Sequence, residues 1–136
     1  MTSPAQLRYL ADSVGTASPV RLLVMLYDRL VLDLRRAAFG QDAGDREAAS
    51  VQIRHAQQIV AELRSSLRMD QWDGAENLAS LYGFMLSELI AVNLDADPAR
   101  LRAVETIAVE LRDTWREAAL TVATDAAGTT HVARVG

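Results

Sequence analysis

Few side chains in this sequence are of the types that carry out catalysis or hold metals. Histidine occurs twice, at His55 and His131, and cysteine is absent. A carboxylate-bridged di-metal centre in a helical bundle needs a Glu followed three residues later by a His on two helices. Neither histidine has a Glu three places before it. Two histidines without cysteine fall short of a zinc site unless several carboxylates join them. A serine nucleophile needs a positioned base, and His55 is the one candidate inside a periodic segment. It stands beside Ala56 of an apolar row, which predicts solvent or a rim for its ring. No glycine-rich phosphate loop is present. The missing cysteine also removes disulfides and thiol nucleophiles. These residues predict no enzyme, no metal and no cofactor.

The elements around them follow from hydrophobic spacing. Ser18-Pro19 reads as a helix start: a hydroxyl to cap the first turn, then a proline whose missing N–H costs nothing at the first helical position. From Val20 to Tyr27 only Arg21 interrupts the apolar run, so this helix needs cover from more than one direction. Leu23, Leu26, Leu30, Leu34 and Ala37 recur at steps of three and four and predict a helix over 19–39. Val24, Val31 and Leu32 widen its apolar surface, Asp33 is expected to make surface pairs with Arg29 and Arg36, and Gly40 is expected to end the helix. A second helix is predicted over 46–67 from Ala49, Ile53, Ala56, Val60, Leu63 and Leu67. A third is predicted from a cap at Asp73 to Asn93, with Leu78, Leu81 or Tyr82, Met85, Leu89 and Val92 as its seam. Trp72 is expected to cover that end of the bundle. Asp97-Pro98 repeats the cap-plus-proline start, and Leu101, Val104, Ala108, Leu111, Trp115, Ala118 and Val122 extend a fourth helix.

The expected fold is all-α, an antiparallel up-down four-helix bundle over 18–122. Residues 1–17 form a leader whose Tyr9, Leu10 and Val14 give it enough apolar surface to dock on the bundle. Residues 123–136 lack periodicity and predict a disordered tail.

Composition narrows the function classes. The 136 residues suit one domain with a real core; half are hydrophobic and 5% aromatic, so the core is mainly aliphatic. The net charge of −4 disfavours a nucleic-acid partner. All basic side chains are arginine. The start of the chain lacks the basic and apolar regions of a secretory signal, and no stretch approaches the ~18 uninterrupted apolar residues of a membrane span. A soluble, cytoplasmic protein without membrane insertion is expected. Apolar residues beyond the seams suggest grooves that accept amphipathic helices of another chain.

Several segments carry a family resemblance. Tyr9, Val14, Thr16-Ala17-Ser18-Pro19 and Met25-Leu26-Tyr27-Asp28 resemble the N-terminal pattern of the flagellin-specific export chaperones known as FliS. The likeness continues through His55 to Leu63, Asn77-Leu78, Leu81-Tyr82, Met85, and Leu111 to Ala118, in order, over roughly residues 9 to 119. Arg29 departs from the glycine that many members have after the Tyr-Asp pair. The resemblance implies a non-catalytic cytoplasmic chaperone. Such a protein binds the disordered C-terminal region of flagellin, blocks its premature polymerisation, and delivers it to the export gate of the flagellar type III apparatus. It implies flagellin contacts from Leu22, Met25, Leu26, Tyr27 and Asp28 on helix one, Gln57 and Ile59 on helix two, and Asn77, Leu81, Tyr82 and Met85 on helix three. The rival readings are a helical adaptor for other amphipathic partners and, behind it, a small bundle enzyme or metal carrier.

Overall fold

The structure is a computed structural model that describes residues 19–67 and 73–135, with side-chain surroundings through residue 121. The expectations placed on Tyr9, Leu10, Val14, Ser18 and Trp72 lie outside the described residues, as does the side chain of His131. The described residues form four helices: α1 Pro19–Asp42, α2 Arg46–Ser65, α3 Ala75–Asp95 and α4 Pro98–Val135. No strand occurs among the described residues. Consecutive helices pack side by side, and α4 closes against α1, so α1 and α3 face each other across the core. This is the antiparallel four-helix bundle that the spacing predicts.

The core is one row from each helix. Leu30, Leu34 and Ala37 meet Ile53, Ala56, Val60 and Leu63, then Met85, Leu89 and Val92, then Leu101, Val104 and Ala108, all buried. Each large aliphatic side chain so buried contributes about 1.5–3 kcal/mol. At the choice between Leu81 and Tyr82, the seam takes Tyr82, while Leu81 is half-buried. α3 is long and apolar enough by length and composition to cross a membrane. Here it forms a wall of the bundle, with Tyr82, Met85, Leu89 and Val92 turned inward.

Helix ends differ from expectation at four places. Gly40 does not terminate α1 but lies within it, and the left-handed residue that does is Gly44, at φ 73°. The Asp45 N–H donates to Gly40 O at 2.8 Å and the Gly44 N–H to Gln41 O at 3.0 Å, the paired bonds of a Schellman end. Asp45 then caps α2 at once, its Oδ1 accepting from Ala48 N at 3.0 Å. α2 ends at Ser65 rather than Leu67. α3 starts at Ala75 with Gly74 at the cap position and no side-chain cap bond, so Asp73 does not cap it as expected. The fourth difference is the extent of α4, whose backbone is helical to Val135 instead of stopping near Val122. Nothing after Pro98 blocks propagation: alanine is the best helix former, and Gly128 costs only about 1 kcal/mol. The start of α4 is as predicted, with Asp97 Oδ1 accepting from Ala99 N at 3.0 Å ahead of Pro98.

Candidate functional site

The expected contact residues fall into two groups once α1 is built. Counting from Tyr27, the residues three, four and seven places on are Leu30, Val31 and Leu34, all buried. That spacing turns the Tyr27 ring inward. Its hydroxyl meets the hydroxyl of Tyr82 from α3 across the middle of the bundle. Burial pushes both phenols above the ordinary tyrosine range, and the neighbouring Tyr82 raises Tyr27 further. Met85 and Ile59 are likewise core residues. Tyr27, Ile59, Tyr82 and Met85 therefore hold the helices together in the free protein, and none presents a surface to a partner.

The second group is accessible. Met25, Asp28 and Asn77 are exposed, and Leu22, Leu26, Gln57 and Leu81 are half-buried. Met25 and Asp28 border a cleft of about 410 Å³ between α1 and α4, lined by Arg21, Val24, Met25, Asp28, Arg116, Ala119 and Leu120, whereas Leu22 and Leu26 are not among its lining residues. Its walls are aliphatic and its rim is charged. Asp28 Oδ1 accepts from Arg116 Nη2 at 2.9 Å, with Arg112 Nε 3.9 Å away. Because Asp28 is nearly half exposed, this pair adds only about 0–1 kcal/mol to stability, so a ligand can compete for either partner. Leu120, Arg112 and Arg116 were missing from the expected site. The signal was present, since Arg112 and Arg116 stand one turn apart on the face that carries Leu111 and Trp115, but their partner helix was not legible.

A buried ion cluster also escaped the sequence reading. Asp33 is fully buried, not a surface residue. Its Oδ1 accepts from Arg29 Nε at 3.1 Å, and its Oδ2 meets Nδ1 of His55 on α2. Arg36 takes no part. With the carboxylate ionised, the His55 Nδ1 carries the proton. Asp33 sits seven residues after Leu26 and four before Ala37, on the α2-facing side of α1, which is the pattern that could have revealed it. His55 stands at the rim as expected, its side chain 42% exposed, and the pairing with Asp33 across the two helices is what the sequence reading missed. His55→Ala removes one of two partners of a buried carboxylate, and a loss of about 1–3 kcal/mol is expected. Urea denaturation checks it, and in an Asp33→Asn background the same change should cost less than half as much. Among the described residues no group of three or more His, Cys, Asp or Glu is placed to hold a metal.

Against known proteins, the sequence profile of the family described as "Flagellar protein FliS" matches residues 1–122. The chain belongs to the FliS family. The match takes in the leader with Tyr9, Leu10 and Val14 as well as the bundle. The "Flagellar secretion chaperone FliS" of Bacillus subtilis (strain 168) is 30% identical over 110 residues, covering 81% of this chain and 82% of that protein. The FliS of the same description from Salmonella typhimurium is 31% identical over 110 residues, covering 78% and 80%. A bacterial flagellar chaperone known from a crystal structure superimposes with a TM-score of 0.71 at 19% identity, covering 86% of this chain and 96% of that one. That likeness shows the fold. Arg29, the residue that departs from the resembled pattern, has a use in this chain: its Nε is one of the two donors to buried Asp33.

Proposed function

We propose that this chain is a cytoplasmic, non-catalytic chaperone that binds the disordered C-terminal region of flagellin. In this reading it keeps flagellin from polymerising early and hands it to the flagellar type III export gate. The observation that carries the reading is the α1–α4 cleft, an apolar trough with opposite charges at its rim on a FliS-family bundle. A segment that folds as it binds bears an ordering cost, which burial of apolar side chains against Val24, Met25 and Leu120 in the cleft offsets, with Leu22 and Leu26 extending the contact along α1. Asn77, Leu81 and Gln57 lie accessible on α3 and α2 and extend the contact for a cargo that wraps around the bundle. The leader, through Tyr9, Leu10 and Val14, covers a groove until cargo arrives.

Calorimetric titration with the last ~50 residues of the same organism's flagellin tests this directly. One-to-one binding with a large negative heat-capacity change is expected. Met25→Glu and Asp28→Arg should each weaken it at least about tenfold, or ~1.4 kcal/mol, while leaving the bundle folded. No binding by a folded protein would put the adaptor reading in its place.

A further inference from the structure

The side of α1 that faces α2 carries a groove distinct from the cleft. Asp33 meets His55 of α2, and a Cβ at Gly40 would touch Ala49 of α2, so the line through Asp33 and Gly40 looks toward that helix. Leu26 and Leu22 continue the line, seven and eleven residues before Asp33, which is two and three helical turns. Both are half-buried, and neither lines the α1–α4 cleft. The same two contacts set the antiparallel register, which brings Glu62 of α2 level with Leu26. Glu62 follows His55 by seven residues and so lies on the α1-facing side of its helix. Its Oε1 is shielded from water and has no hydrogen-bond partner. Arg29, the cation of α1 that follows Leu26 by one turn, already gives its Nε to Asp33. A groove with two accessible leucines therefore holds a carboxylate oxygen that nothing satisfies.

We propose that Glu62 is a specificity residue for the cargo: it receives a Lys or Arg of the bound segment, whose neighbouring aliphatic side chains pack on Leu22 and Leu26. The inference rests on the cargo reading above and adds to it the charge that the cargo must carry at this point. In the free protein Glu62 works against the fold in two ways. A shielded oxygen without a donor has lost the hydrogen bonds that water gave it. A carboxylate in the last turn of a helix also faces the negative end of the helix dipole, and α2 ends at Ser65. A cation entering the groove reverses both effects, donating a charge-assisted hydrogen bond to Oε1 and neutralising the helix end. A segment without a cation there would cover the carboxylate and leave it unpaired, so it is rejected even where its apolar residues fit.

Two measurements on the full chain test this. Melting of the free protein should rise by roughly 2–5 °C in Glu62→Leu, because the unpaired group is gone. Calorimetric titration with the last ~50 residues of the same organism's flagellin should show Glu62→Gln binding about tenfold more weakly than the parent. The parent's affinity should also fall more steeply than the variant's as salt is raised. Higher stability with lower affinity marks a contact made only in the complex, whereas a structural role would lower both. Among cargo segments with each Lys or Arg changed singly to Glu, one should bind Glu62→Arg better than it binds the parent. If the parent does not bind the unaltered segment, the cargo reading fails and this inference with it. If the parent binds and Glu62→Gln binds equally well, or Glu62→Arg rescues no altered segment, this inference alone fails. Melting that falls in Glu62→Leu overturns it as well, and an equal fall in Arg8→Ala would then assign the groove to the leader's own cation.

Discussion

Gly40→Val is expected to lower stability by about 3 kcal/mol, near the upper end for overpacking in a well-packed site. A Cβ at this position would stand 2.9 Å from the backbone N of Ala49 and 3.2 Å from its Cα. Those atoms cannot give way cheaply. Ala49 N donates to Asp45 O at 3.1 Å, and Asp45 N is itself held by Gly40 O at 2.8 Å, so the α1–α2 turn is tied on both sides of the contact. In urea the midpoint should fall with the slope unchanged, and melting should drop by roughly 10 °C. Gly83→Ala is the control. The nearest atom to a Cβ there is Arg64 Nη1 at 3.9 Å, the end of a flexible side chain. With no clash, the helix preference of alanine should raise stability by about 0.5–1 kcal/mol. If Gly40→Val melts within a degree of the parent, the close approach is not what requires glycine.

The same residue shows where sequence reading stops. Glycine after an apolar helix reads as a terminator, and Gly44 fills that role four residues later with its left-handed backbone. Gly40 is needed for a contact with another helix, and no local pattern announces that. Seams were legible because burial imposes a three-four rhythm on every helix, and Leu30, Ile53, Leu89 and Val104 are all where the rhythm puts them. The start at Asp97-Pro98 was legible too, whereas the cap at Asp45 was not read from the sequence and the one read at Asp73 does not form. The site was harder. Helical spacing separates inward from outward positions, yet the segments that resemble the family are mixtures of both, so Tyr27 and Tyr82 came with Met25 and Asp28. A motif of adjacent residues on a helix cannot all face one way. Asp33 was read by type, as a surface acid, when its position on the α2 side was the better guide.

Alkaline pH is expected to unfold this protein through two side chains. Tyr27 and Tyr82 share a hydrogen bond in the core, and burial raises both phenols above the usual value near 10. In the unfolded chain each ionises at about pH 10. Below that pH both states hold the protons and stability is unaffected. Above it the unfolded state releases protons that the folded state keeps, so stability falls as pH rises. Each buried tyrosine then costs up to ~1.4 kcal/mol per pH unit, and the pair up to about 4 kcal/mol at pH 11.5. The composition makes the test unusually clean: the chain has no lysine and no cysteine, and its cations are arginines that stay charged. Urea midpoints between pH 8 and 11.5 should fall only beyond pH 10, and in a Tyr9→Phe background, which removes the third tyrosine's signal, 295 nm absorbance of Tyr27 and Tyr82 should appear together with unfolding. Tyr27→Phe should roughly halve the slope, although it leaves the Tyr82 hydroxyl unpaired at neutral pH at a cost of about 1–3 kcal/mol. Tyr27→Phe/Tyr82→Phe should recover part of that loss and flatten the alkaline limb. A limb that keeps its full slope in the double variant would place the alkaline sensitivity elsewhere.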